Sequence, residues 1–245
     1  MTLGPFLRGA RCALTGLSLL AHPRLRAFVL LPLTINVLLF GGGLWWGGGA
    51  LSGWLDAQIA TMPDWLHWLH WLLVPLLIVA AALVTFYGFS IVANLLAAPF
   101  NGQLAERAED LFDPGAPRAG RPLWQEVTVA FASALRMTLY FLLRAIPFLI
   151  LFFVPVVNVA APFLWAAFGA WMLALQYLDY PLGNHGIDFR EQRLAHRADR
   201  ARTFGFGCAV LLLTLVPVLN FIAMPAAVIG AAALVVERRR LVNAG

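Results

Sequence analysis

The residues best suited to chemistry are His22-Pro23-Arg24-Leu25-Arg26-Ala27, where two guanidinium groups stand at the start of a long uncharged run. Proline is favoured in the first turn of a helix, and the helix that follows would offer unpaired N–H groups and the positive end of its dipole here. Guanidinium groups beside such donors suit a tetrahedral oxyanion, with Arg24, Leu25 and Arg26 as the candidate binding stretch. The plainer alternative is that the two arginines only mark the side from which the chain enters a membrane. A second polar group, Glu106 with Arg136 and Arg144, sets one acid and two bases beside apolar blocks. Positions 136 and 144 are about two helical turns apart and broadly share a face, so this group could line a polar path or form an ordinary cluster of ion pairs.

Other chemistries lack their parts. All 17 basic residues are arginine, which removes a phosphate-binding lysine loop and a lysine Schiff base. The glycine runs 41–43 and 47–49 are better read as close helix packing or a flexible end to a span. His67 and His70 interleave with Trp65, Trp68 and Trp71, the pattern of an aromatic belt at a membrane interface rather than of metal ligands. Cys12 and Cys208 show no motif spacing. Gly-x-Ser-x-Gly, His-Glu-x-x-His and paired carboxylates within an apolar run are all missing. No catalytic residue, metal or cofactor is expected.

The elements that position these residues follow from the solvent. With 61% hydrophobic residues, 12% charged and a mean hydropathy of +0.80, the chain reads as an all-α polytopic membrane protein. The net charge of +5 and pI near 10.0 therefore report topology and not a nucleic-acid partner. Uncharged residues 27–55 predict a first span and 65–105 a second, joined by a loop holding Asp56 and Asp64 but no arginine.

Arginines occur before the first span, in 106–144, in 190–202 and at Arg238, Arg239 and Arg240. If they share the cytoplasm, the charge-free stretches 145–178 and 203–236 must each return to the side they left. Pro155, Asn158 and Pro162 in the first, and Pro217, Asn220 and Pro225 in the second, supply the turns. Arms of about 14 residues are shorter than the hydrocarbon core, which favours hairpins that only partly penetrate. Irregular backbone at that depth needs shielding by protein or a wet cavity, and homo-oligomerisation or a central water-filled path is the expected consequence.

The organisation predicted is one membrane domain over 1–245. It comprises an amphipathic interfacial helix over 1–22, a first long helix over 23–53 and a second over 65–112. A helix and the first hairpin follow over 123–178, then a surface helix and the second hairpin over 188–240. The last segment carries Arg190, Arg193, Arg197 and Arg200, most simply placed near anionic membrane lipid.

In their order along the chain, several stretches resemble the CysZ family of sulfate permeases. They are Pro23-Arg24-Leu25-Arg26-Ala27-Phe28-Val29, Pro32-Leu33 with Ile35-Asn36, Ala98-Pro99-Phe100-Asn101-Gly102 with Leu104-Ala105-Glu106, and Arg136 with Tyr140 and Arg144. Further along come Asp179-Tyr180-Pro181, Phe204-Gly205-Phe206-Gly207, and Val216-Pro217 with Asn220 and Pro225. The resemblance implies two long transmembrane helices and two pairs of partly inserted helices, assembled into oligomers in the bacterial inner membrane; the arginine distribution puts both termini in the cytoplasm. It also implies uptake of sulfate, or of a related oxyanion such as sulfite, for cysteine biosynthesis. The family's Gly-Leu-Arg motif maps onto Arg24, Leu25 and Arg26, with arginine in place of the glycine and Ala27 where a further arginine is often found. Loss of the glycine removes a freely approachable backbone, while Arg24 adds charge. A membrane assembly protein of the same fold that transports nothing is the alternative class.

Overall fold

The computed structural model describes residues 3–60, 70–115, 120 and 123–243. The described regular structure is helical throughout: α1 Leu3–Ser18, α2 Arg26–Ala60, α3 His70–Phe112, α4 Leu123–Leu151, α5 Ala161–Asn184, α6 Phe189–Ala198, α7 Arg200–Leu215 and α8 Pro217–Asn243. Three stretches are long and apolar enough to cross a membrane among the described residues, namely Phe131–Leu151 of α4, all of α5 and all of α8. This is a membrane protein. Asp64, Trp65, His67 and Trp68 lie outside the described residues.

Two compact units form, Met1–Val29 with Pro99–Gly245, and Leu30–Ala98. In the second, Val37, Leu38, Trp45, Leu76, Val79 and Leu83 are exposed, the surface expected of segments solvated by lipid. Helix α2 passes without a break through both glycine runs, and a side chain at Gly41 or Gly42 would meet nothing within 4 Å. At those two positions no close helix packing occurs among the described residues.

Such packing occurs at other glycines, in the first unit. A Cβ on Gly9 would overlap the carbonyl of Arg202, one on Gly205 the carbonyl of Phe6, one on Gly16 the carbonyl of Ala226, and one on Gly230 that of Cys12. Small residues on both sides let α1 approach α7 and α8 backbone to backbone, the geometry that associates helices where the hydrophobic effect gives no preference. The buried face of α1 is Gly9, Cys12, Ala13 and Gly16, leaving Leu3, Leu7 and Leu14 exposed. Thus the leucine stripe is exposed and the small-residue stripe faces protein. Behind this contact, Phe206, Val210, Val228, Ile229 and Leu234 share one core with Leu25, Leu104, Leu178 and Leu182.

The two proline and asparagine interruptions take different forms. Between α4 and α5, residues 152–160 leave the α-helix; Asn158 donates its backbone N–H to the carbonyl of Val154 at 3.0 Å, and Pro162 occupies the first turn of α5. Phe148 stacks on Phe168 with ring centres 4.7 Å apart, Phe141 lies 5.5 Å from the same ring, and Phe152 meets Trp165 edge-on, so the two helices pack along their apolar faces. Between α7 and α8 a single extended residue, Val216, suffices. Pro217 starts α8, Asn220 donates its N–H to the Val216 carbonyl at 2.9 Å, and Pro225 is carried inside the helix. The helical arms exceed the charge-free count because helix continues through charged residues at the block ends, through Arg136 and Arg144 in α4 and to Arg240 in α8.

Candidate functional site

Immediately before α2, His22 organises the turn that presents the two arginines. Its carbonyl accepts from the N–H groups of Leu25 at 2.9 Å and Arg26 at 3.0 Å, and its ring Nδ1 accepts from the Arg24 N–H at 3.3 Å. His22 thus closes the turn that leads into α2, and the N–H groups of Arg24, Leu25 and Arg26 already have acceptors inside the protein. Leu25 is fully buried in the core that holds Leu104, Ala105 and Ala108 of α3. Arg24 and Arg26 on either side of it are exposed. Burial of the middle residue anchors the turn and leaves two guanidinium groups in solvent.

Arg107 of α3 joins this neighbourhood, its guanidinium carbon standing 5.9 Å from the centre of the Phe28 ring. Phe28 lies in the first turn of α2, two residues after Arg26, so Arg107 stands beside the start of that helix. Nothing in the sequence distinguishes Arg107 from its neighbours except its position beside Glu106.

Among the described residues Arg136 and Arg144 have different partners. Arg136 acts on Asp188, whose carboxyl is held below the usual range chiefly by the Glu191 N–H, with this guanidinium contributing. Arg144 instead lies over the Tyr140 ring at 5.5 Å and lines a cavity with Arg197 and Arg200. Glu106 is half-buried on α3.

Two polar networks escaped the sequence reading. The first gathers on the end of α3, where buried Glu109 lies 2.7 Å from His185 Nε2, with Arg239 also 2.8 Å from that nitrogen. One nitrogen can donate to the carboxylate or accept from the guanidinium, but not both. Arg239 pairs with Asp113 at 3.2 Å, and Arg240 donates to the carbonyl of Phe112, a cation at the negative end of a helix. Further back along α3, Asn101 Nδ2 donates to the Tyr180 hydroxyl at 3.4 Å and Asn184 Nδ2 to the Gly102 carbonyl at 2.8 Å.

The second network ties α1, α6, α7 and α8 together. Asp199 accepts from Arg202 at 2.9 Å and lies 3.4 Å from Arg238. Arg238 also reaches the Thr203 hydroxyl at 2.5 Å and His196 Nδ1 at 3.2 Å. Burial first and Arg238 second push the His196 pKa down to about 3, so the ring is neutral and accepts. Across the bundle the Cys12 thiol donates to Glu237 at 3.2 Å, and its pKa is pushed up to about 12 by burial and by that carboxylate. Arginines that read as topology markers are therefore internal ties in part, because charge at the end of an apolar block looks the same whether it meets lipid or a carboxylate. Among the described residues no group of three His, Cys, Asp or Glu side chains could hold a metal ion.

Comparison with known proteins adds the chain-wide context. A family model described as sulfate transporter CysZ/etoposide-induced protein 2.4 matches residues 12–225. A protein of Pseudomonas fluorescens (strain Pf0-1) named sulfate transporter CysZ is 42% identical over 243 residues, covering 98% of this chain and 97% of that protein.

Proposed function

Because this chain belongs to the sulfate transporter CysZ/etoposide-induced protein 2.4 family, we propose that it is a permease for sulfate, or for a related oxyanion such as sulfite. It acts in the bacterial inner membrane with both termini cytoplasmic and supplies sulfur for cysteine biosynthesis. The observation carrying this reading is the likeness to a relative named as a sulfate transporter along almost its whole length. The exposed pair Arg24 and Arg26 on either side of buried Leu25 supports the location of the anion.

Recognition rests on guanidinium groups more than on helix N–H groups, since His22 already takes the donors of Arg24, Leu25 and Arg26. Arg26 is the principal contact; Arg24 takes the place of the backbone approach a glycine would give, and Arg107 adds positive charge from α3. No bond is made or broken in this cycle. Glu106 and Arg136 remain candidates for a polar path beyond the first contact. The two interrupted helix pairs lie in the membrane as hairpins returning to the cytoplasmic side, and copies of the chain assemble around the path.

Expression in a bacterium stripped of its own sulfate uptake tests the reading. Growth on sulfate as sole sulfur source should be restored, with cysteine supporting growth either way. Failure to restore growth, with the protein present in the membrane, would leave the fold without the transport role.

A further inference from the structure

An open groove bounded by α4, α5 and the α6–α7 junction carries charge at one end and none at the other. Arg144, Arg197 and Arg200 converge on a cavity of about 340 Å3 together with Tyr140, Trp171 and Phe204. A second cavity of about 370 Å3 shares Tyr140, Arg144, Trp171 and Phe204 with it and continues along Phe148, Leu164, Ala167 and Phe168. Among the described residues no carboxylate lines either part. Asp199, which stands between Arg197 and Arg200 in sequence, is engaged by Arg202 and Arg238 and does not neutralise them.

The basic end is further concentrated by Arg193, which lies 5.1 Å from the Tyr140 ring centre while Arg144 lies 5.5 Å from the same ring. Guanidinium groups gathered on one aromatic ring repel each other unless an anion sits among them. Phosphate oxygens suit planar guanidinium forks best. The apolar end follows α4 and α5, two of the helices apolar enough to lie in a bilayer. A free inorganic anion has no use for that continuation, whereas an acyl chain fills it.

We infer that this groove is a binding site for an anionic phospholipid, its phosphate held by Arg144, Arg197 and Arg200 and one acyl chain laid along Phe148, Leu164 and Phe168. The site is separate from the turn at Arg24 and Arg26. It ties the α6–α7 junction to the membrane through a specific lipid instead of through the general negative surface potential.

The test uses the full chain in mild detergent, with lipid retention read by native mass spectrometry. Dioleoyl phosphatidylglycerol should be retained roughly tenfold more strongly than dioleoyl phosphatidylcholine. The double variant Arg197→Gln/Arg200→Gln, which changes two exposed side chains, should abolish that preference. Ala167→Trp, which blocks the apolar end, should weaken retention of phosphatidylglycerol while leaving the three arginines in place. Excess inorganic sulfate or phosphate should fail to displace the lipid. Equal retention of the two lipids, an unchanged double variant, or displacement of the lipid by either free anion would overturn the inference, the last by assigning the arginines to a free oxyanion.

Discussion

At Arg26 the functional reading comes down to one exposed side chain whose loss should spare the fold, because Leu25 beside it holds the turn in the core. Charge-assisted hydrogen bonds contribute about 1.5–3 kcal/mol, so Arg26→Ala should weaken sulfate binding by tenfold or more. Leu25→Ala should do the opposite, leaving the charges and costing roughly 2–5 kcal/mol of stability; calorimetric titration and thermal unfolding in detergent separate the two. His196 gives a pH signature. Its folded pKa of about 3 lies below the ordinary 6.5, so the unfolded chain binds its proton first on acidification. The stabilisation is complete above pH 6.5 and lost as pH falls toward 3, on the order of a few kcal/mol. His196→Asn keeps an acceptor for Arg238 and should flatten the fall in unfolding temperature over that window. Val156, in the turn between α4 and α5, sits at φ 69°, where a β-branched residue is strained. Val156→Gly should therefore raise stability by about 1 kcal/mol, read as a higher unfolding temperature.

Helix α1 shows most clearly what is legible at the scale of elements. Its amphipathic character follows from the spacing of its residues, but the partner of each face does not. The leucine stripe is exposed and the glycine stripe is buried against α7 and α8, because in lipid close backbone approach decides which helices associate. Among the described residues that close approach is made by scattered single glycines, Gly9, Gly16, Gly205 and Gly230. Gly205→Val would drive a side chain into the Phe6 carbonyl and should detach α1, visible as faster proteolysis of the N-terminal segment and loss of a monodisperse species. Breaks in the helices fall beside Pro155 and Pro217, where proline's missing donor and steric demand act within a few residues, while Pro225 is carried inside α8. The length of the arms was harder to read, because arginine ends an apolar block without ending a helix.

For the molecule as a whole, composition alone sufficed for the all-helical membrane class, and ordered motifs along the chain sufficed for the family. The polar interior was illegible because its ties cross the sequence: Cys12 reaches Glu237, and Arg240 reaches Phe112. The proposed topology places every arginine cluster on one side. A cysteine introduced at Arg190 should therefore react with a membrane-impermeant maleimide only after the cells are permeabilised, over the background of Cys12 and Cys208; labelling in intact cells would contradict the returning hairpins. Transport of an oxyanion through contacts at Arg24 and Arg26 is decided by radiolabelled sulfate flux into proteoliposomes. The parent protein should carry sulfate well above empty liposomes and Arg26→Ala should carry about a tenth as much or less; flux in Arg26→Ala equal to the parent, or none in either, would contradict the account.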